Sequence, residues 1–196
     1  VDFTVTDVHG NTHNLFTYLD DGKHVIVDFF FTTCGPCIAS VPILNQAYTD
    51  YGCNTGDIIF LSIDNGDSDA QVLQYENDYG ALLPAASGND GGGNAVDNAY
   101  GISAYPTVIL IAPNRAILEQ DIFPVSNITT ALPNAGLNMA PCDTGGGTTL
   151  ISEITLDKES NHVKIFDILG RKWNVPFADL PKGIYIINNR KVLKTD

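Results

Sequence analysis

The sequence predicts an α/β unit followed by a smaller all-β unit, and three observations predict it. Three dense apolar runs, His24–Phe31, Ile58–Ile63 and Thr107–Ala112, suit strands buried on both faces of a sheet. Segments with helical spacing of apolar residues lie between them, the alternation expected of a sheet covered on both sides. The charge then changes along the chain. Residues 1–147 hold 17 acidic and two basic side chains, whereas residues 148–196 hold six acidic and eight basic ones. The change falls at Gly145-Gly146-Gly147, a run with no side chains to pack and hence of linker composition. The expected domains are 1–142 and 149–196, joined by a glycine-rich linker over 143–148.

Each element has a local cause. Asp7–Gly10 is a turn between Phe3–Thr6 and Thr12–Leu15, which reads as an N-terminal hairpin. After the His24–Phe31 strand, Pro36–Tyr51 carries Ile38, Val41, Leu44, Ala47 and Tyr48 at helical spacing, with a kink expected at Pro42. Ser68 is an N-cap for a helix over Ser68–Tyr79. Gly91-Gly92-Gly93, beside Asn89 and Asp90, reads as a flexible surface loop. A short helix, Ala95–Tyr100, is ended by Gly101. Pro113-Asn114 turns the chain into strand Ala116–Gln120, and Ser126–Leu132 closes the unit as a helix. In the second unit Ile151–Leu156, Val163–Asp167, Lys172–Val175, Ile184–Ile187 and Val192–Lys194 alternate between turn residues. That pattern predicts a small antiparallel, sandwich-like module.

Composition narrows the function. The chain has 196 residues, 44% apolar and 17% charged, enough to bury a core. A net charge of −13 argues against a nucleic-acid partner, which selects a basic face. No apolar stretch is long enough for a membrane span. No charged and apolar leader opens the chain at Val1, so an exported form would already have shed its signal peptide.

Cys34-Gly35-Pro36-Cys37 follows a buried strand and opens a helix. Amides and dipole at a helix N-terminus favour a thiolate at Cys34. Cys37 lies one turn down the same face, where it can attack a mixed disulfide formed at Cys34. Gly35 and Pro36 set the first turn without requiring a backbone donor from the proline. The residues alone also admit half of a zinc site or a plain structural disulfide. Zinc needs two more ligands, and neither a second CxxC nor an HxxxH is present.

The segment Val27-Asp28-Phe29-Phe30-Phe31-Thr32-Thr33-Cys34-Gly35-Pro36-Cys37 resembles the active-site segment of the thioredoxin family. The resemblance covers roughly residues 1–140 and is closest to extracytoplasmic thiol–disulfide oxidoreductases of the cytochrome-maturation and redoxin type. The opening Asp2–Asp7 with Gly10, Phe60–Asp64, and Tyr100–Thr107 match that group in order. It implies a thioredoxin fold, a central mixed sheet flanked by helices. It implies redox exchange with protein thiols and disulfides, with no bound cofactor. Pro106 matches the family's cis-proline, so Tyr105, Pro106, Gly35 and Pro36 would border the substrate groove. Asp28 matches the family's buried carboxylate, which would exchange a proton with Cys37. The fold would also bring Cys53, after the active-site helix, to Cys142, after the terminal helix, as a structural disulfide. Four cysteines in even pairing fit an oxidising compartment.

The chain departs from thioredoxin at three positions. Phe30 and Thr33 replace tryptophans, and Phe60 replaces the lysine that partners the buried acid. A peroxidase would place Pro and Thr at 27 and 31, where Val27 and Phe31 stand. His9, His13, His24 and His162 lack ligand spacing and read as surface residues; no metal site is expected.

Val163–Arg171 followed by Leu180–Tyr185 resembles the C-terminal sorting domain of type IX secretion, with a basic last strand at Lys191–Lys194. That resemblance implies a Bacteroidetes-type bacterium, export through the type IX machinery, and a secreted or surface-attached product. The reading is therefore a secreted thiol–disulfide oxidoreductase. The alternatives are a binding or adhesion protein with a merely structural CxxC, or a peroxide reductase.

Overall fold

The apolar runs become the centre of a five-stranded sheet. The computed structural model describes residues 1–142 and, farther along, 165–167, 172–173, 180, 183–187 and 190–194. The chain divides between Cys142 and Asp143 into two units. In the first, β1 (Thr4–Thr6) and β2 (Thr12–Asn14) form an antiparallel pair, followed by α1 (Leu15–Asp20). Then come β3 (His24–Phe30), α2 (Gly35–Asp50), β4 (Ile58–Asp64), α3 (Asp69–Tyr79), β5 (Ala85–Ala86) and α4 (Gly93–Tyr100). β6 (Thr107–Ile111), β7 (Ile117–Glu119), a 3-10 turn at Val125–Asn127 and α5 (Ile128–Asn134) complete the unit. The sheet order is β5-β4-β3-β6-β7. β3 runs parallel to β4 and antiparallel to β6, so the sheet is mixed.

Strand alternation sorts the core into two layers. Val25, Val27 and Phe29 of β3 and Ile59, Leu61 and Ile63 of β4 face Leu15 and Leu19 of α1 and Val96 of α4. Ile26 and Phe60 face the opposite way, toward Leu44 and Ala47 of α2 and Ile128 and Leu132 of α5. Full burial of each such side chain contributes about 1.5–3 kcal/mol, which is why β3 and β4 read as dense apolar runs. Asp28 and Ser62 are the polar interruptions of those runs, and both lie on the α2 side by the same alternation.

Three local expectations change. The strand expected to reach Leu15 stops at Asn14, whose side chain accepts from the Thr17 amide at 2.7 Å and starts α1. β5 has no counterpart in the sequence reading, because two residues carry no period. Gly91–Gly93 is not a loose surface loop. Gly91 and Gly93 are buried, the Thr6 amide donates to Gly91 O at 3.0 Å, and a Cβ on Gly91 would lie 2.5 Å from Thr6 O. Glycine there permits close backbone approach rather than mobility. Elsewhere α2 runs continuously through Pro42, and Gly101 ends α4 at a left-handed φ of 66°.

In the second unit, β8 (Ile165–Asp167), β9 (Lys172–Trp173), β10 (Gly183–Ile187) and β11 (Arg190–Lys194) form one antiparallel sheet of order β11-β10-β8-β9. The strand expected at Ile151–Leu156 and the linker expected at 143–148 lie outside the described residues. No helix among the described residues is long and apolar enough to cross a membrane.

Candidate active site

The site is built where β3 ends and α2 begins. The Asn65 amide donates to Phe30 O at 2.9 Å, the last ladder-like bond of β3. A turn closed by Cys34 N–H to Phe31 O at 3.0 Å then delivers Cys34 to the N-cap of α2. Cys34 Sγ accepts from the Cys37 amide at 3.2 Å, and the two sulfurs are bonded to each other. A helix-terminal N–H with no intrahelical acceptor, aimed at sulfur, is the geometry that stabilises a thiolate when the bond opens. Both cysteines are only 3% exposed, while Gly35 and Pro36 between them are open to solvent. A Cβ on Gly35 would meet nothing within 4 Å, so the loop crest between the two cysteines is unobstructed.

Phe30, Val41, Val72, Tyr75 and Ala85 wall the cysteines, and Tyr105 packs against this cluster. The Tyr105–Pro106 peptide is cis, and Tyr105 meets the Phe31 ring edge-on at 5.3 Å. The Tyr105 hydroxyl donates to Asp97 Oδ2 at 2.6 Å and accepts from the Asn65 side-chain amide. The structure therefore brings Cys34, Cys37 and Tyr105 into one apolar cluster, with Pro106 next in the chain.

Asp28 is buried on the α2 side of the sheet, near enough for its charge to act on Tyr75 of that cluster. It pairs in register with Ser62, whose hydroxyl donates to Asp28 Oδ2 at 3.1 Å. Oδ1 is buried without a hydrogen-bond partner. Burial pushes the Asp28 carboxyl up to about 7, and the Ser62 bond offsets this only in part. Tyr75, which belongs to the cysteine cluster, has its phenol raised first by burial and then by the charge of Asp28. Phe60 is fully buried with its edge against Tyr48, so this position of β4 offers Asp28 no cation. A narrow cleft lined by Phe30, Val41, Ser62, Tyr75 and Ala85 reaches the Ser62 end of the pair.

A second buried acid, Asp64, carries no distinguishing signal in the sequence. Its Oδ2 accepts from the amides of Asp67 and Gly88, each at 2.9 Å. Burial again dominates and pushes it up to about 7. Ser62 is absent from the candidates drawn from sequence, although a serine inside the apolar run Ile58–Ile63 is a visible signal. His13 is buried rather than on the surface. Its ring bridges Asp7 Oδ2 at 3.0 Å and the Tyr18 hydroxyl at 2.7 Å, tying the hairpin to α1. No group of three or more His, Cys, Asp or Glu among the described residues is arranged to hold a metal ion.

Cys53 and Cys142 are bonded to each other, far from this centre in sequence. The Ala140 amide donates to Asp50 O at 2.9 Å and Tyr51 bridges to Ala140, which lays the segment after α5 beside the end of α2.

Comparison with known proteins gives this arrangement a family. Residues 1–120 match the AhpC/TSA family. A thiol-disulfide oxidoreductase ResA from Bacillus thuringiensis (strain Al Hakam) is 32% identical over 120 residues, covering 61% of this chain and 65% of its own. ResA from Geobacillus thermodenitrificans is 31% identical over 116 residues, covering 59% and 63%. The chain thus spans just under two thirds of the length of these relatives. Among solved structures, the thioredoxin domain of a thiol-disulfide oxidoreductase from Bacteroides vulgatus superposes with TM-score 0.59 at 20% identity, covering 70% of this chain and 94% of that one. A thiol:disulfide interchange protein of the thioredoxin family from Chlorobium tepidum gives TM-score 0.54 at 19% identity, covering 66% and 91%. The fold of the first unit is thioredoxin-like, and the chain belongs to the AhpC/TSA family.

Proposed function

We propose that this chain is an extracytoplasmic thiol–disulfide oxidoreductase acting on protein thiols and disulfides. The observation that carries the reading is a Cys34–Cys37 disulfide at the N-terminus of α2, in the same apolar cluster as Tyr75, whose phenol feels the charge of the buried Asp28. In the reduced protein the Cys34 thiolate attacks a substrate disulfide. A Cys34–substrate bond forms, and one substrate sulfur leaves as a thiolate. The Cys37 thiol passes its proton toward Asp28 and attacks Cys34 Sγ. The Cys34–Cys37 bond is restored and the second substrate thiolate leaves, so two electrons have passed to the substrate. The reverse sequence oxidises a dithiol. An acid poised near 7 can take or return that proton at neutral pH. Pro106, which lacks an N–H, and Tyr105 border the groove that takes the substrate chain.

The export assignment rests on residues 149–196, whose described strands form an antiparallel sheet ending in the basic β11. We assign them as a type IX sorting module, and two disulfides suit the compartment reached. Removing 149–196 should leave the product inside a host that has this machinery; undiminished export would refute the assignment.

One observation favours a purely structural disulfide: Cys34 is only 3% exposed. Equilibration of the folded protein with glutathione, followed by alkylation and mass spectrometry, separates the readings. Reversible opening of Cys34–Cys37 with Cys53–Cys142 intact supports exchange. A pair that dithiothreitol cannot open in the folded state overturns it.

A further inference from the structure

The turn that carries Cys34 is held from outside by a side chain that neither disulfide exchange nor the cysteine motif accounts for. β3 loses its antiparallel partner after Phe29, which pairs with Thr107, the first residue of β6. On its other side the ladder ends with Phe30. The next donor on that side, the Thr32 amide, therefore has no strand to pair with. It donates instead to Asp67 Oδ2 at 2.8 Å, across the start of α3. The other Asp67 oxygen accepts from the Gln71 side-chain amide at 3.0 Å, which fixes the carboxylate's orientation. The Asp67 amide is itself anchored on Asp64 Oδ2. Two residues back, the Asn65 side chain reaches the Tyr105 hydroxyl, beside Pro106. The short stretch from Asp64 to Asp67 thus grips both walls of the site, the cysteine turn and the Tyr105–Pro106 loop.

We propose that Asp67 is a positioning residue for Cys34: its carboxylate takes the place of a strand partner for Thr32 and so aligns Cys34 Sγ with the Cys37 amide. The claim deepens the exchange reading and rests on it. Geometry and charge predict opposite results when Asp67 is changed. If Asp67 acted only through its charge, removing it would ease thiolate formation at Cys34. If it acts by holding Thr32, removing the acceptor misaligns the sulfur and hinders thiolate formation.

The test is the pH profile of iodoacetamide alkylation of Cys34 in the reduced full chain, with Cys53–Cys142 intact. Asp67→Ala should slow alkylation at pH 7 by about tenfold, the scale of a small misplacement at a reacting atom, and move its midpoint to higher pH. Asp67→Asn keeps an acceptor for Thr32 and should restore the rate to within about twofold. Gln71→Ala keeps the Thr32 bond and should lie nearer wild type than Asp67→Ala. A midpoint lowered equally in Asp67→Ala and Asp67→Asn overturns the proposal in favour of charge. An unchanged profile in Asp67→Ala also overturns it. Should Asp67→Ala not fold, Asp67→Glu, which shifts the carboxylate by one methylene, must show the slower rate, and a wild-type rate there overturns the proposal. An unreactive Cys34 in the wild-type chain would instead count against the exchange reading, a result none of the Asp67 outcomes resembles.

Discussion

Replacing Asp28 by asparagine should make folding stability less dependent on pH, in a direction the structure fixes. Asp28 is 6% exposed and its carboxyl is raised from 3.8 to about 7. Between those two values the unfolded chain is ionised while the native protein holds the proton. The native state therefore binds more protons, and stability falls as pH rises through this window. At about 1.36 kcal/mol per pH unit, the interval amounts to about 4 kcal/mol, present below pH 3.8 and lost above about 7. The asparagine introduced by Asp28→Asn does not titrate. Its carbonyl can accept the Ser62 hydroxyl, and its amide would occupy the position of Oδ1, which has no partner. That orphaned amide costs about 1–3 kcal/mol, but at every pH alike. The slope is thus the informative quantity. Urea unfolding of the oxidised proteins from pH 5 to pH 9 should show Asp28→Asn gaining on wild type by about 2–3 kcal/mol toward the alkaline end. Asp64 titrates in both proteins and cancels. A difference between wild type and variant that stays flat from pH 5 to 9 would refute the argument that burial, rather than a counter-charge, sets this carboxyl.

Two further substitutions test the cysteines. Cys37→Ser should accumulate a covalent Cys34–substrate adduct visible by non-reducing mass spectrometry, whereas Cys34→Ser should abolish exchange; an adduct on Cys37 in the latter would reverse the roles. Replacing Cys53 and Cys142 together by alanine opens a bond with a sequence separation of 89, which the loop-closure model values at roughly 4–5 kcal/mol. Denaturant melts should show that loss with the Cys34–Cys37 equilibrium unchanged, and a shifted equilibrium would mean that the two disulfides communicate.

The sheet and the redox pair were legible in the sequence for different physical reasons. β3 and β4 are buried on both faces, so their composition alone marks them. The CxxC is a local motif whose chemistry is set by the helix it opens. What escaped the sequence was everything fixed by contacts distant along the chain. Gly91 is required because Thr6 passes against it, and nothing near residue 91 announces Thr6. His13 is buried because Asp7 and Tyr18 close on it from a hairpin and a helix. Asp67 sits in a run of polar residues that reads as loop, and its bond to Thr32 exists only because the ladder of β3 has ended before that amide.

Asp28 and Asp64 are both raised to about 7, yet they are held by different kinds of partner. Asp64 Oδ2 holds two backbone amides, so losing that oxygen unpins the loop after β4 and the turn at Gly88. Asp28 accepts a single side-chain hydroxyl. A change in its charge asks only a serine rotor to turn, as the proposed proton exchange with Cys37 would require. The same contrast should appear in kinetics and in stability. Asp64→Ala leaves two inward amides without their acceptor and should cost about 2–5 kcal/mol. Asp64→Asn retains the acceptor, and a resolving step measured by stopped flow should keep its inflection near pH 7. Asp28→Asn should lose that inflection and slow the step by roughly 10²-fold, the lower range for removing a general base. An inflection that survives in Asp28→Asn and vanishes in Asp64→Asn would show that the proton of Cys37 travels by the loop and not by the strand.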